Sequence, residues 1–186
     1  MTPADRYTST AVALHWVIAA LIGCNIMLGL GSNYVPDDWV RPMIDLHKSF
    51  GITVLGLVLV RLGWRLTHRP PPLPADYAAW EVAAAHAAHL GLYVLILAIP
   101  ITGWIHDSAW SAAASHPMFL YWVVPWFRLP FITGLDPAVK EHVHTLFGVV
   151  HTYLGYVLYG VLALHILGAL KHQFLDRQPE LQRMWR

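Results

Sequence analysis

The chain has 186 residues, of which 56% are hydrophobic and only 12% charged, against about 25% charged in an ordinary soluble domain. A formal net charge of +1, with no basic patch beside a binding motif, gives no footing for a nucleic-acid partner. The remaining class is an integral membrane protein whose first partner is the lipid bilayer.

Four apolar stretches are each long enough, at about twenty residues or more, to cross a hydrocarbon core of about 30 Å. The first is predicted over residues 9–30, inside an uncharged window at 7–36. It continues for a full span and carries His15 and Trp16, so it reads as a span and not as a cleaved leader. The second is predicted over 43–66, with Lys48 near its start and Arg61 and Arg65 near its end. Residues 70–74 are proline-rich and read as a stiff extended spacer. The third span is predicted over 82–104. Residues 108–127 are also uncharged, but their first half, SAWSAAASHP, is small and polar, and Pro117 and Pro125 interrupt the rest. Trp110, Tyr121, Trp122, Trp126 and Phe127 give this segment the character of a membrane–water interface, so it is expected to lie on the surface or re-enter without spanning. The fourth span is predicted over 143–170. The expected fold is an all-α membrane protein, a bundle of four transmembrane helices with a long outer third loop, forming one domain over residues 1–186.

Loop charges give the orientation. Arg61, Arg65 and Arg69 precede the first acid, Asp76, in the second linker, and the tail carries Lys171, Arg177, Arg183 and Arg186 against Asp176 and Glu180. The first loop holds Asp37, Asp38 and Asp45 with Arg41, and the third is near neutral. The positive-inside rule then puts both termini and the second loop in the cytoplasm.

The histidines carry the chemistry. His151 and His165 lie fourteen residues apart in a stretch free of Asp, Glu, Lys and Arg from 142 to 170. Fourteen residues are about four helical turns, which puts both imidazoles on one face, roughly 21 Å apart along the axis. Ionisable residues inside a bilayer are costly and usually functional. Depth pairs His47 with His151 near the outer surface, and His165 with either His15 or His89 near the inner one. Imidazole is a standard haem ligand, and this pattern suits two b-type haems, each held by two histidines. Histidines bonded across helix interfaces are the plain alternative. Zinc would call for three or four clustered ligands, usually with Cys or carboxylates, and the membrane carboxylates are missing. The single Cys24 excludes a disulfide within the chain, a CxxC site and covalent CxxCH attachment, so any haem is held non-covalently.

Other residues receive lesser roles. Arg61 and Arg65 are placed to pair with propionates of the inner haem, although positive-inside anchoring explains them as well. Lys48 has the same option at the outer haem. His86, His89 and His172 near the inner site fit a quinone or proton-transfer site, or support for the haem ligands. His68, His106 and His116 are expected to be solvated. Gly51, Gly56, Gly91, Gly148 and Gly155 permit close helix packing or make room for a porphyrin face.

The segments RYTSTAVALHW, LHKSFGITVLGLVLVRLGWR, HAAHLGLYVLILAIPITGW and VVHTYLGYVLYGVLALHILGALKHQF occur in this order over nearly the whole chain. Together they resemble the bacterial cytochrome b561 family, whose four transmembrane helices hold two b-type haems in the bacterial inner membrane. The resemblance implies that His15, in the HW pair, ligates the inner haem with His165, and that His47 and His151 ligate the outer one. It also implies electron exchange with membrane quinone. Some members are superoxide oxidases that pass electrons from superoxide to ubiquinone, and related cytochromes are membrane subunits of hydrogenases and dehydrogenases. The expected function is therefore electron transfer from superoxide, or another periplasmic one-electron donor, to ubiquinone. The alternative is a non-catalytic cytochrome subunit that links a partner dehydrogenase or hydrogenase to the quinone pool. Quinone is expected to react on the inner side, near Trp16, His89 and His172. Lys48, Arg128, Lys140 and Arg41 are the cations available to steer an anionic donor at the outer face.

Overall fold

The structure is a computed structural model and describes residues 6–74 and 77–185. Asp76 and Arg186, counted above among the loop charges, lie outside the described residues.

Four helices are long and apolar enough to cross a membrane: α1 (Ser9–Gly31), α2 (Asp37–Thr67), α3 (Ala79–Ser108) and α5 (Pro137–Leu170), the last continued by a π-type stretch at Lys171–Leu175. α1 matches its predicted span to within one residue, while α2, α3 and α5 run beyond the apolar stretches that hydropathy reads, with polar residues at their starts. Thr8 Oγ1 accepts from Ala11 N–H at the start of α1, and Asp136 accepts from Ala138 N–H at the start of α5, with Pro137 in the first turn. Asp37 and Asp38 open α2, where carboxylates favour the positive end of the helix dipole. Glu81 reaches back to the Ala78 N–H at the start of α3.

The helices pack in series, α1 on α2, α2 on α3 and α3 on α5. Two antiparallel hairpins, α1–α2 and α3–α5, are thus joined along the α2–α3 contact. The core is small, as expected where lipid takes the place of water around the bundle. It centres on Val58, Leu95, Ile96 and Leu158, with Ile22 and Leu154 packed against them. Leu158 lies seven residues from both His151 and His165, so this plug of aliphatic side chains stands midway between the two histidine levels.

Residues 108–127 form no further long helix. They fold into a 3-10 turn at Ala113–Ser115 and a two-stranded antiparallel hairpin, β1 (Met118–Leu120) and β2 (Val124–Trp126), followed by the single-turn helix α4 (Pro130–Thr133). Met118 and Leu120 turn inward, while Trp122 and Val123 at the tip are exposed. Tyr121 and Trp122 both have positive φ, 52° and 60°. That backbone costs a side-chain-bearing residue roughly 1–2 kcal/mol. Two contacts to α2 offset the cost. Tyr121 N–H donates to the buried Ser49 hydroxyl (2.9 Å), and the Tyr121 and Thr53 hydroxyls are bonded at 2.6 Å.

The chain ends fasten to each other on the opposite side. Helix α6 (Glu180–Arg183) follows the π-type stretch, and buried Arg183 bonds Glu180 and the Pro71 and Pro72 carbonyls. Trp16 Nε1–H donates to the Met184 carbonyl (2.6 Å), and Tyr7 N–H donates to that of Arg183. The prolines at 70–74 therefore act as acceptors for the tail as well as a spacer.

Candidate functional site

Two pairs of imidazoles straddle the seam between the helix hairpins. His47 of α2 faces His151 of α5 with ring centroids 6.0 Å apart and planes at 80°. His15 of α1 faces His165 of α5 at 6.3 Å and 68°. A ring nitrogen sits about 2 Å from a bound transition metal and the ring centroid about 1 Å further back, so two imidazoles on opposite sides of one ion have centroids about 6 Å apart. Both pairs meet that requirement. His89 lies nearer to His165, at 5.4 Å, and so completes a cluster of three imidazoles at the inner level.

The outer pair is held from behind. His47 Nδ1–H donates to the Asn25 carbonyl (3.0 Å), and His151 Nδ1–H donates to the Ile99 carbonyl (2.9 Å). With Nδ1 committed to a carbonyl, Nε2 carries the free lone pair that a metal needs. Each ring also lies over a glycine one turn beyond its acceptor. A Cβ on Gly29 would come within 3.1 Å of His47, and one on Gly103 within 3.0 Å of His151. The sequence reading missed both glycines, although their i, i+4 spacing from Asn25 and Ile99 is a usable signal once the acceptors are known.

These histidines open onto a cavity of about 520 Å³ between the helices, within the usual range of about 300–1,000 Å³ for cofactor sites. Gly51 and Gly155 lie in its wall, and the Asn25 side-chain oxygen, also in the wall, is buried without a partner. A shaped, mostly apolar space lined by the facing His47 and His151 fits a porphyrin, which these two residues would hold. Arg41, Lys48 and Asp107 also line the cavity. Lys48 is already paired with Asp45 (2.7 Å) and Asp107 (3.3 Å), Arg128 with Asp107 (2.8 Å), and Arg41 with Asp45 (3.6 Å). Lys48 therefore belongs to an ion cluster in which Arg41, Lys48 and Arg128 exceed Asp45 and Asp107 by one positive charge.

His106 is also not the solvated residue expected. It stacks on His144 with centroids 3.9 Å apart, and each Nδ1–H donates to the other residue's carbonyl (2.8 and 2.9 Å). Gly148 leaves room for this ring, since a Cβ there would approach His106 to 3.0 Å. His68 and His116 are exposed, His68 stacked on Trp64.

At the level of His15 and His165, Trp16 packs edge-on against His15 (5.3 Å) and Trp185 (5.8 Å). Arg61 donates from Nε to the Tyr93 hydroxyl (3.0 Å) and from Nη1 to the Ala11 carbonyl (3.2 Å), one turn before His15 on the same helix face. Arg65 lies one turn nearer the helix end, with its guanidinium 5.7 Å from the Tyr93 ring centre. His172 stacks on Tyr77 (4.2 Å) and bonds Asp176 (2.7 Å), so it joins the rim cluster of Glu81, Lys171 and Asp176. The hydrogen-bonded Lys171 ammonium holds the Asp176 carboxyl below its ordinary range.

With this geometry in view, the whole bundle finds its relatives. Residues 6–186 match the family described as prokaryotic cytochrome b561. The chain belongs to the prokaryotic cytochrome b561 family. It is 32% identical to cytochrome b561 homolog 2 of Escherichia coli over 97% of this chain and 91% of that protein. It is 26% identical to the probable superoxide oxidase CybB of Yersinia pestis over 96% and 95% of the two chains. Cytochrome b561 homolog 1 of E. coli is 25% identical over 97% of each. As a cytochrome b561 the protein is a multi-pass membrane electron-transfer protein, and the family implies haem b.

Proposed function

We propose that this cytochrome b561 carries two haem b groups, ligated by His47 with His151 and by His15 with His165, and passes electrons across the membrane from a periplasmic one-electron donor to ubiquinone. The observation that carries the proposal is the separation of 6.0 and 6.3 Å within the two ring pairs. Haem b, when bound, would supply a one-electron carrier, and ligation by two histidines would leave no open position for oxygen activation. The protein's part is to fix the ligands, exclude water and set the local charge. Asn25 and Ile99 orient the outer imidazoles. Arg61, one turn from His15, is the partner for an inner propionate, with Arg65 behind it.

The donor is assigned to the outer face, where the cluster of Arg41, Lys48 and Arg128 exceeds its acids by one charge and favours an anion such as superoxide. Superoxide is the favoured donor because a full-length relative bears the name of a probable superoxide oxidase. Ubiquinone is assigned to the inner side, between Trp16 and His89, with His172 and Asp176 carrying protons from the rim. Both termini then lie in the cytoplasm of a bacterium whose inner membrane holds the bundle. The exposed hairpin tip, Trp122 and Val123, favours a second reading, a cytochrome subunit that docks a dehydrogenase or hydrogenase through the third loop.

Stopped-flow mixing of the oxidised protein with superoxide, followed by a ubiquinone analogue, separates the two readings. Rapid haem reduction and reoxidation by quinone support the oxidase. Haem that dithionite reduces and superoxide does not supports the docking subunit.

A further inference from the structure

A second, smaller cavity of about 50 Å³ lies where the start of α1 meets the end of α2, and four arginines line it: Arg6, Arg61, Arg65 and Arg69. Trp64 closes one wall by donating its Nε1–H to Thr8 Oγ1 (2.9 Å), and Pro70 and Pro71 form the edge. Arg41, Lys48, Arg128, Lys171 and Arg183 are all paired with carboxylates. Among the described residues, the four arginines of this cavity have no such pairing.

Their grouping favours a bound anion. Arg61 and Arg65 stand at i, i+4 on α2, where like charges repel, and Arg69 follows just beyond the helix end on the same cavity. An anion with several acceptor oxygens would relieve that repulsion, and guanidinium groups suit phosphate bidentately. The cavity is far too small for a porphyrin, and Arg61 is turned inward to Tyr93 and Ala11. Arg6 and Arg69 are exposed, with Arg65 half-buried between them and Arg61. The site lies at the end of two membrane helices beside an interfacial tryptophan, the depth at which lipid headgroups lie.

We propose that Arg6, Arg65 and Arg69 bind the phosphate of an anionic phospholipid from the cytoplasmic leaflet. Basic pockets between membrane helices on that side bind such headgroups. The lipid then acts as a clamp that neutralises the end of α2 and ties it to the start of α1. The proposal rests on the orientation given above and not on the haem pairing.

The test is thermal unfolding of the detergent-purified, haem-loaded protein, with haem absorbance recorded in the same samples. Added phosphatidylglycerol is expected to raise Tm by several degrees, while phosphatidylcholine and inorganic phosphate leave it unchanged. Arg6→Gln/Arg69→Gln should abolish the rise with haem content intact, and Arg69→Lys should keep part of it, since the charge remains but the fork is lost. An equal rise with phosphatidylcholine, an equal rise with inorganic phosphate, or an undiminished rise in the double variant would overturn the site. Loss of haem from the double variant would overturn it too, because the arginines would then serve the propionates. A failed haem assignment with these Tm shifts intact would leave the lipid site standing.

Discussion

His47 and His151 meet across the seam between the two helix hairpins with ring centroids 6.0 Å apart and nearly perpendicular planes. Each is braced by a backbone carbonyl on a neighbouring helix, from Asn25 and Ile99. His15 and His165 repeat the spacing one level below, and the aliphatic plug around Leu158 lies between the levels. The distance along α5 between the two levels, roughly 21 Å, follows from fourteen residues of helical rise.

The glycine beneath His151 gives a selective test. A side chain on Gly103 must push into the imidazole, because a Cβ would already lie 3.0 Å from the ring. Gly103→Val is expected to cost about 1–3 kcal/mol in overpacking and to displace the ligand. The outer haem should be lost and the inner one kept, so haem content falls by about half. Pyridine haemochrome assay and low-temperature spectra of the purified variant measure this, and a variant that keeps both haems would show that the ring can move aside.

The inner level holds three imidazoles, of which two are assigned to iron. His15 stands 6.3 Å from His165, the separation suited to a shared ion, while His89 stands closer, at 5.4 Å. His15→Ala should therefore lose the inner haem. His89→Ala should keep both haems and slow their reoxidation by quinone. The reverse pattern of haem loss would exchange the roles of the two residues.

The two proposed haems should differ in potential. A carbonyl bonded to Nδ1–H makes the opposite nitrogen a stronger donor and favours the ferric state, and both outer ligands have one. On the inner side Arg61 brings a positive charge within one turn of His15, which favours the reduced state. The outer haem is expected to have the lower potential, so electrons run downhill toward the cytoplasmic side. Redox titration of the wild type and of Arg61→Gln checks this. The variant should lower only the higher of the two potentials, and a shift confined to the lower one would reverse the assignment.

The spans and the histidine stripe were legible because both depend on local periodicity: twenty apolar residues make a span, and fourteen residues put His151 and His165 on one face. Helix ends were less so, since Asp37 opens α2 and Asp136 caps α5 outside the apolar stretches that hydropathy reads. The pairings of Lys48 with Asp107 and of His106 with His144 depend on partners far away in sequence. The hairpin at 118–126 was hidden for another reason. Its tip is built from Tyr121 and Trp122 at positive φ, where turn chemistry would call for glycine or asparagine, and bonds to the distant Ser49 and Thr53 help to hold it there.

The central claim is that two haems are held, one by each pair of facing histidines. Haem quantified against protein for the wild type and for His151→Ala tests it most directly. The account predicts about two haems per chain in the first and about one in the second, with the surviving haem still low-spin and six-coordinate. One haem in the wild type, or two in the variant, would contradict it.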